Sequence, residues 1–113
     1  MSRSWVLFLA DMRDAARKIE RYVADRDRAA FLADEMAFDA TMRNLEILGE
    51  AVKGIPAAIR TRYPEINWRG VAGFRNVLAH AYFAVDEDTL WDIVTNKVPL
   101  LLAQLEQIPD DQP

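Results

Sequence analysis

The chain contains no cysteine and a single histidine, His80, in 113 residues. Without cysteine there is no disulfide framework and no thiolate chemistry. One histidine rules out His-Glu-x-x-His and Cys/His zinc spacings. It also rules out the paired Glu-x-x-His motifs of a diiron bundle. Serine occurs only as Ser2 and Ser4, which leaves no serine-nucleophile triad. There is no glycine-rich phosphate loop, no repeat, no low-complexity stretch and no strand-like alternation. The apolar run from Trp5 to Ala10 is broken by Asp11, Arg13 and Asp14. It is too short for a signal sequence or a membrane span, so a cytoplasmic protein is expected. A broad basic face is also missing, with a net charge of −4 and a pI near 4.9. Any work on nucleic acid must therefore rest on a local site or a small cluster of arginines.

What is present is helical pattern. With 51% apolar and 28% charged residues, 1–113 reads as one globular domain with one core. A first helix is expected over about Ser4 to Asp25, with Val6, Leu9, Met12, Ala16, Ile19 and Val23 at three- and four-residue steps. Asp27 to Ala33 reads as a connecting turn carrying Phe31 and Leu32. A second long helix runs from an Asp34 N-cap to about Lys53, with Gly54 as its stop. Its inward face is Phe38, Met42, Leu45, Leu48 and Val52. A short helix opens at Pro56 and ends before Pro64. A further helix starts at an Asn67 N-cap, with Val71, Phe74, Leu78 and Ala81 as its apolar stripe. The last begins at Asp86, with Val85 and Leu90 as a hydrophobic staple, and is kinked by Pro99. The fold class is all-α: an antiparallel up-and-down bundle of four main helices plus short connecting helices.

Chemistry concentrates in Phe74-Arg75-Asn76-Val77-Leu78-Ala79-His80-Ala81-Tyr82. Histidine takes and gives protons near neutral pH. Arginine is a fixed cation whose planar fork fits phosphate oxygens. At 100° per residue, Arg69, Gly73, Asn76 and His80 share a face nearly opposite the apolar stripe. Arg75 and Tyr82 stack on another flank, Arg75 about 140° from His80. Arg75 and His80 converge only if the long arginine reaches round, the helix loosens, or a second subunit supplies one of them. By spacing alone, the commoner role of such a histidine is exposed or helix-capping. Arg75 alone would be a surface ion-pair partner, and Tyr82 a half-buried packing residue. Glu46 and Glu50 share a helix face with Asp39 and Arg43. Two carboxylates at this spacing could bind a metal, but a solvated face is the commoner role; one of them could also orient Arg75 or His80 across the bundle. Gly49 either permits close helix approach or is merely tolerated.

The pattern Arg-Asn-x-x-x-His-x-Tyr resembles the signature of the HEPN superfamily, specifically its HepT branch, the toxin half of MNT–HEPN toxin–antitoxin pairs. Three further segments carry the resemblance: Arg43 to Ala51, Pro64 to Trp68, and Ala81 to Asp86. Together they cover roughly residues 5 to 105. The resemblance implies a type VII-like toxin: a metal-independent endoribonuclease that cuts single-stranded RNA, tRNA and mRNA being the candidates. It implies Arg75 and His80 as catalytic residues and neither metal nor cofactor; Asn76 and, from its place on the second helix, Glu50 are the expected supporting residues. It also implies a homodimer with a composite cleft. The implied antitoxin is a nucleotidyltransferase that transfers AMP from ATP to Tyr82. The rival reading is a non-catalytic helical dimer that binds and regulates such a nucleotidyltransferase, with Arg75 and Tyr82 at the interface.

Overall fold

A computed structural model describes residues 4–74, 76 and 86–109. Among these residues there are helices and turns and no strand, so the chain is an all-α bundle. Helix α1 (Trp5–Val23) starts on Ser4, whose hydroxyl accepts the Val6 N–H at 3.3 Å. Leu9, Met12, Ala16 and Ile19 are buried, as their spacing requires, while Val6 and Val23 are half-buried. Each such Leu or Ile contributes about 1.5–3 kcal/mol relative to exposure. The helix stops where Asp25 adopts φ 58°, the one positive φ among the described non-glycine residues. Aspartate tolerates that region better than most residues.

The segment from Asp27 to Ala33 departs from expectation. It forms a helix, α2 (Arg28–Ala33), capped by Asp27, whose carboxylate accepts the Ala30 N–H at 2.8 Å. Six residues are too few to display a periodicity. The helix is held by Phe31, which is 0% exposed, with its ring 6.1 Å from Phe38 and 5.6 Å from Trp91.

Helix α3 (Glu35–Ala51) starts on Asp34, as its sequence indicates. The Asp34 carboxylate accepts the Ala37 N–H at 3.1 Å and an Arg26 N–H at 2.5 Å. First the backbone hydrogen bond and then the guanidinium hold its pKa below the ordinary carboxylate range. Met42, Leu45, Leu48 and Val52 are buried and Phe38 is half-buried. A 3₁₀ turn, Val52–Gly54, ends the run. Gly54 lies at the stop but not for the expected reason, because its φ is not positive. A Cβ there would sit 2.2 Å from the Phe8 ring. The glycine is needed for packing against α1.

Helix α4 (Ala57–Arg62) follows Pro56, which is the N-cap rather than the first helical residue, and buries Ile59. Helix α5 (Trp68–Ala72) starts on Asn67. Helix α6 (Glu87–Asp92) starts on Asp86, which accepts the Thr89 N–H at 3.1 Å. The proposed staple to Leu90 involves Val85, which lies outside the described residues, as do Leu78 and Ala81 of the apolar stripe. Pro99 does not produce a simple kink. A π turn, Ile93–Lys97, precedes it and leads into α7 (Val98–Leu105). The wide turn gives the proline ring room against the carbonyl four residues back. The Thr95 hydroxyl donates to the Trp91 carbonyl at 2.6 Å within this stretch.

Contacts fix the directions. Phe8, early in α1, covers Gly54, just past α3, so α1 and α3 run antiparallel. Arg28, beyond the end of α1, pairs with Asp88 at the start of α6. Arg13 caps the far end of α7, donating to the Leu105 carbonyl at 2.8 Å and the Ile108 carbonyl at 2.5 Å. The α6–α7 arm is therefore antiparallel to α1. Among the described residues no helix is long and apolar enough to cross a membrane.

Candidate functional site

The approach to the motif is built residue by residue. The Asn67 side chain accepts the Gly70 N–H at 3.0 Å. A Cβ on Gly70 would lie 2.4 Å from the Asn67 amide nitrogen, so a larger residue there would make the Asn67 side chain shift. The Trp68 indole donates to the Tyr63 carbonyl at 3.1 Å and closes the turn between α4 and α5. Val71 and Phe74, the described part of the stripe, are buried, and so is Trp68. All three tryptophans pack against the core, Trp5 and Trp91 half-buried.

Gly73 changes the helical reading. Its N–H reaches both the Arg69 carbonyl at 3.0 Å and the Gly70 carbonyl at 3.1 Å, and its ψ is −2°. The Asn76 N–H then donates to the Gly73 carbonyl at 3.0 Å, a three-residue bond. A wheel with a constant 100° step therefore does not pass through Gly73. Arg69 and Asn76 are nonetheless both exposed, so this part of the polar face is on the solvent side. Arg75, His80 and Tyr82 lie outside the described residues.

The second helix meets this segment through Gly49. Gly49 is buried, and a Cβ there would lie 3.3 Å from the Val71 carbonyl oxygen and 3.5 Å from that of Ala72. Of the two readings of Gly49, close helix approach is the observed one. Glu50 follows it directly and is exposed, with Lys53 3.2 Å from its carboxylate. An exposed pair at this spacing is worth only about 0.2–0.5 kcal/mol, so it does not lock Glu50 in place. The i, i+3 spacing announces this pair in the sequence, though Lys53 does not stand out there. Glu46 and Arg43 are exposed on the same side. With Phe8, Asp11 and Lys53 they line an open groove of about 520 Å³ between α1 and α3. Among the described residues no group of three His, Cys, Asp or Glu is placed to hold a metal ion.

Asn44 and Thr41 are the buried polar residues of α3. The Asn44 amide donates to the Ala40 carbonyl at 2.8 Å, and its side chain borders a second cavity shared with Asp11, Asp14 and Lys18. Neither residue is singled out by spacing, because each falls on the inward face among apolar neighbours.

The sequence matches the family described as ribonuclease HepT-like over residues 12–108. It is 39% identical over 108 residues to the probable ribonuclease HepT of Thermococcus cleftensis, covering 96% of this chain and 98% of the relative. It is 38% identical over 104 residues to a Methanocaldococcus jannaschii protein named as a candidate RNase, covering 92% of this chain and 86% of that one. No solved structure matches.

Proposed function

The chain belongs to the ribonuclease HepT-like family, and from that membership we propose that it is an endoribonuclease cutting single-stranded RNA without a metal ion. The observation that carries this reading is full-length likeness to proteins named as ribonucleases, together with the Arg-Asn-x-x-x-His-x-Tyr motif. In the proposed reaction His80 removes the proton of the 2′-hydroxyl. The 2′-oxygen attacks the adjacent phosphorus, and the bond to the 5′-oxygen breaks. A second proton-transfer group protonates that leaving oxygen. The products are a 2′,3′-cyclic phosphate and a 5′-hydroxyl. Arg75 carries the charge that builds on the phosphoryl oxygens. Asn76 binds the phosphate or orients His80, and Glu50 supports the pair from α3.

One histidine per chain is sparse for this chemistry. A two-fold homodimer brings two copies of His80 and Arg75 to one axis and supplies both base and acid. The further proposal is a toxin role with a nucleotidyltransferase antitoxin. In that step the Tyr82 oxygen attacks the α-phosphorus of ATP, pyrophosphate leaves, and the phenol proton passes to a base. The added nucleotide brings negative charge and bulk close in sequence to Arg75 and competes for its fork.

The test is purified protein with labelled RNA in EDTA. The wild type cuts, and His80→Ala loses about 10²–10⁴-fold with an unchanged circular dichroism spectrum. Arg75→Lys loses most activity because it keeps the charge but not the fork. A His80→Ala chain that cuts at the wild-type rate ends the assignment. No cleavage by the wild type, combined with tight binding to a nucleotidyltransferase, favours the regulatory dimer instead. Mass spectrometry after incubation with that partner and ATP finds AMP on Tyr82 and none on Tyr82→Phe.

A further inference from the structure

The overall charge of −4 conceals an asymmetry along the chain. Residues 51–85 hold five of the fourteen basic residues and one of the eighteen acidic ones. This segment is thus +4, and the remainder of the chain is −8. The positive segment is the one that contains the motif.

In the rest of the bundle Arg26 pairs with Asp34, Arg28 with Asp88 and Arg17 with Asp14, and Arg13 donates to the carbonyls that end α7, while Arg21 and Arg43 are exposed. What sets the positive segment apart is that it holds a single acid. Within the positive segment Lys53 pairs with Glu50. Arg60 and Arg69 are exposed, and no carboxylate among the described residues bridges either of them. The one acid of the segment, Glu65, gives its backbone carbonyl to Gln104 and is itself exposed.

Arg60 and Arg69 flank the one turn that joins α4 to α5. The Arg60 carbonyl accepts the Tyr63 N–H at 3.2 Å. The Tyr63 carbonyl in turn accepts the Trp68 indole at 3.1 Å, and Arg69 is the next residue. This corner is rigid, since Ile59, Ile66 and Trp68 are all buried beneath it. Two exposed cations thus flank this turn, Arg69 six residues and Arg60 fifteen residues before Arg75.

We infer that Arg60 and Arg69 grip backbone phosphates of single-stranded RNA and lead the strand to the Arg75–His80 motif. This inference rests on the RNA-cleavage reading. Phosphate contacts position a strand without reading its bases, so the corner confers affinity rather than sequence choice. It also accounts for how an acidic protein holds a polyanion: the acids sit elsewhere on the molecule.

The experiment measures the salt dependence of RNA binding by fluorescence anisotropy. All variants carry His80→Ala, so the RNA stays intact. Each single-stranded phosphate contact contributes about 0.7 to the slope of log affinity against log salt. Arg60→Gln with Arg69→Gln should therefore flatten the slope by about 1.4. Between 50 and 200 mM salt the parent then loses about seven-fold more affinity than the double variant. Lys18→Gln with Arg21→Gln, the same charge change on exposed residues of α1, leaves the slope unchanged. Arg60→Lys with Arg69→Lys restores it. In the His80-intact chain the double glutamine variant raises KM and spares kcat. An unchanged slope, an equal change in the Lys18/Arg21 control, or no RNA binding by the parent overturns the inference. If RNA binds with the predicted slopes but no variant ever cuts, the phosphate corner stands and the ribonuclease reading falls.

Discussion

The two arms that flank the α1–α3 pair are built on opposite principles. The α6–α7 arm is sealed: Trp91 stacks on Phe31, Arg28 holds Asp88, and Arg13 ties down the far end. Three of its contacts thus reach back to α1 and α2. The α4–α5 arm is made of helices six and five residues long. It buries Ile59, Ile66, Trp68 and Val71, meets α3 at Gly49, and is tied by the Trp68 indole, the Asn67 cap and Gln104 on the Glu65 carbonyl, while Arg60, Arg69 and Asn76 face solvent. The comparison teaches where side chains are left available. Short helices cannot hold themselves together, so this arm takes its position from α3 and keeps its outer face for other contacts.

The largest expected effect is on the sealed arm. Phe31→Ala removes a ring that is 0% exposed and should destabilise the protein by about 3–5 kcal/mol, read by denaturant melting. A loss under 1 kcal/mol would mean that α2 is not part of the core. On the open arm, Asn67→Ala should cost about 1 kcal/mol by removing the cap on Gly70, and cleavage should fall by more than that stability change explains. Equal losses in both would erase the distinction between the arms.

Gly49→Ala sharpens the comparison further. Alanine in a helix interior gains about 1 kcal/mol over glycine. The new methyl, however, would sit 3.3 Å from the Val71 carbonyl oxygen, so α5 must shift by a few tenths of an ångström. Stability should change by less than about 1 kcal/mol while cleavage drops. Unchanged cleavage would show that the position of α5 does not matter to the site.

The smallest effect concerns pH. The Asp34 pKa is lowered by the Ala37 N–H and by Arg26. Its contribution is therefore complete above the ordinary aspartate value of about 3.9 and is lost as pH falls through the lower folded-state value. Asp34→Asn should slightly lower stability at neutral pH, where the charged carboxylate contributes, and flatten the acid limb of the stability curve below about pH 4, so that the two proteins converge in acid. An identical acid limb in both proteins would remove Asp34 from the account.

Much of this architecture is legible in residue order, because the rules involved are local. The Leu9, Met12, Ala16, Ile19 series needs only the helical repeat. Asp34, Asn67 and Asp86 cap helices because a short polar side chain reaches an N–H two or three residues on. The motif itself is also a local pattern, and the family match spans it. Where sequence reasoning failed, the cause was a partner distant in the chain. Phe31 turns an expected loop into α2 because Phe38 and Trp91 enclose it. Gly54 is required by Phe8, 46 residues earlier, and not by its own backbone angle. Gly49 lets α3 lie close against the carbonyls of Val71 and Ala72. Pro99 foretold a distortion, but only the packed helix resolved it as a π turn ahead of the ring. Periodicity, caps and the Arg75–His80 motif thus follow from the sequence by itself, since each depends on neighbours within a turn or two. Which glycines mark helix contacts, which arginines are engaged and which are left exposed were decided by the tertiary structure, because close packing and charge pairing join residues that the sequence keeps far apart.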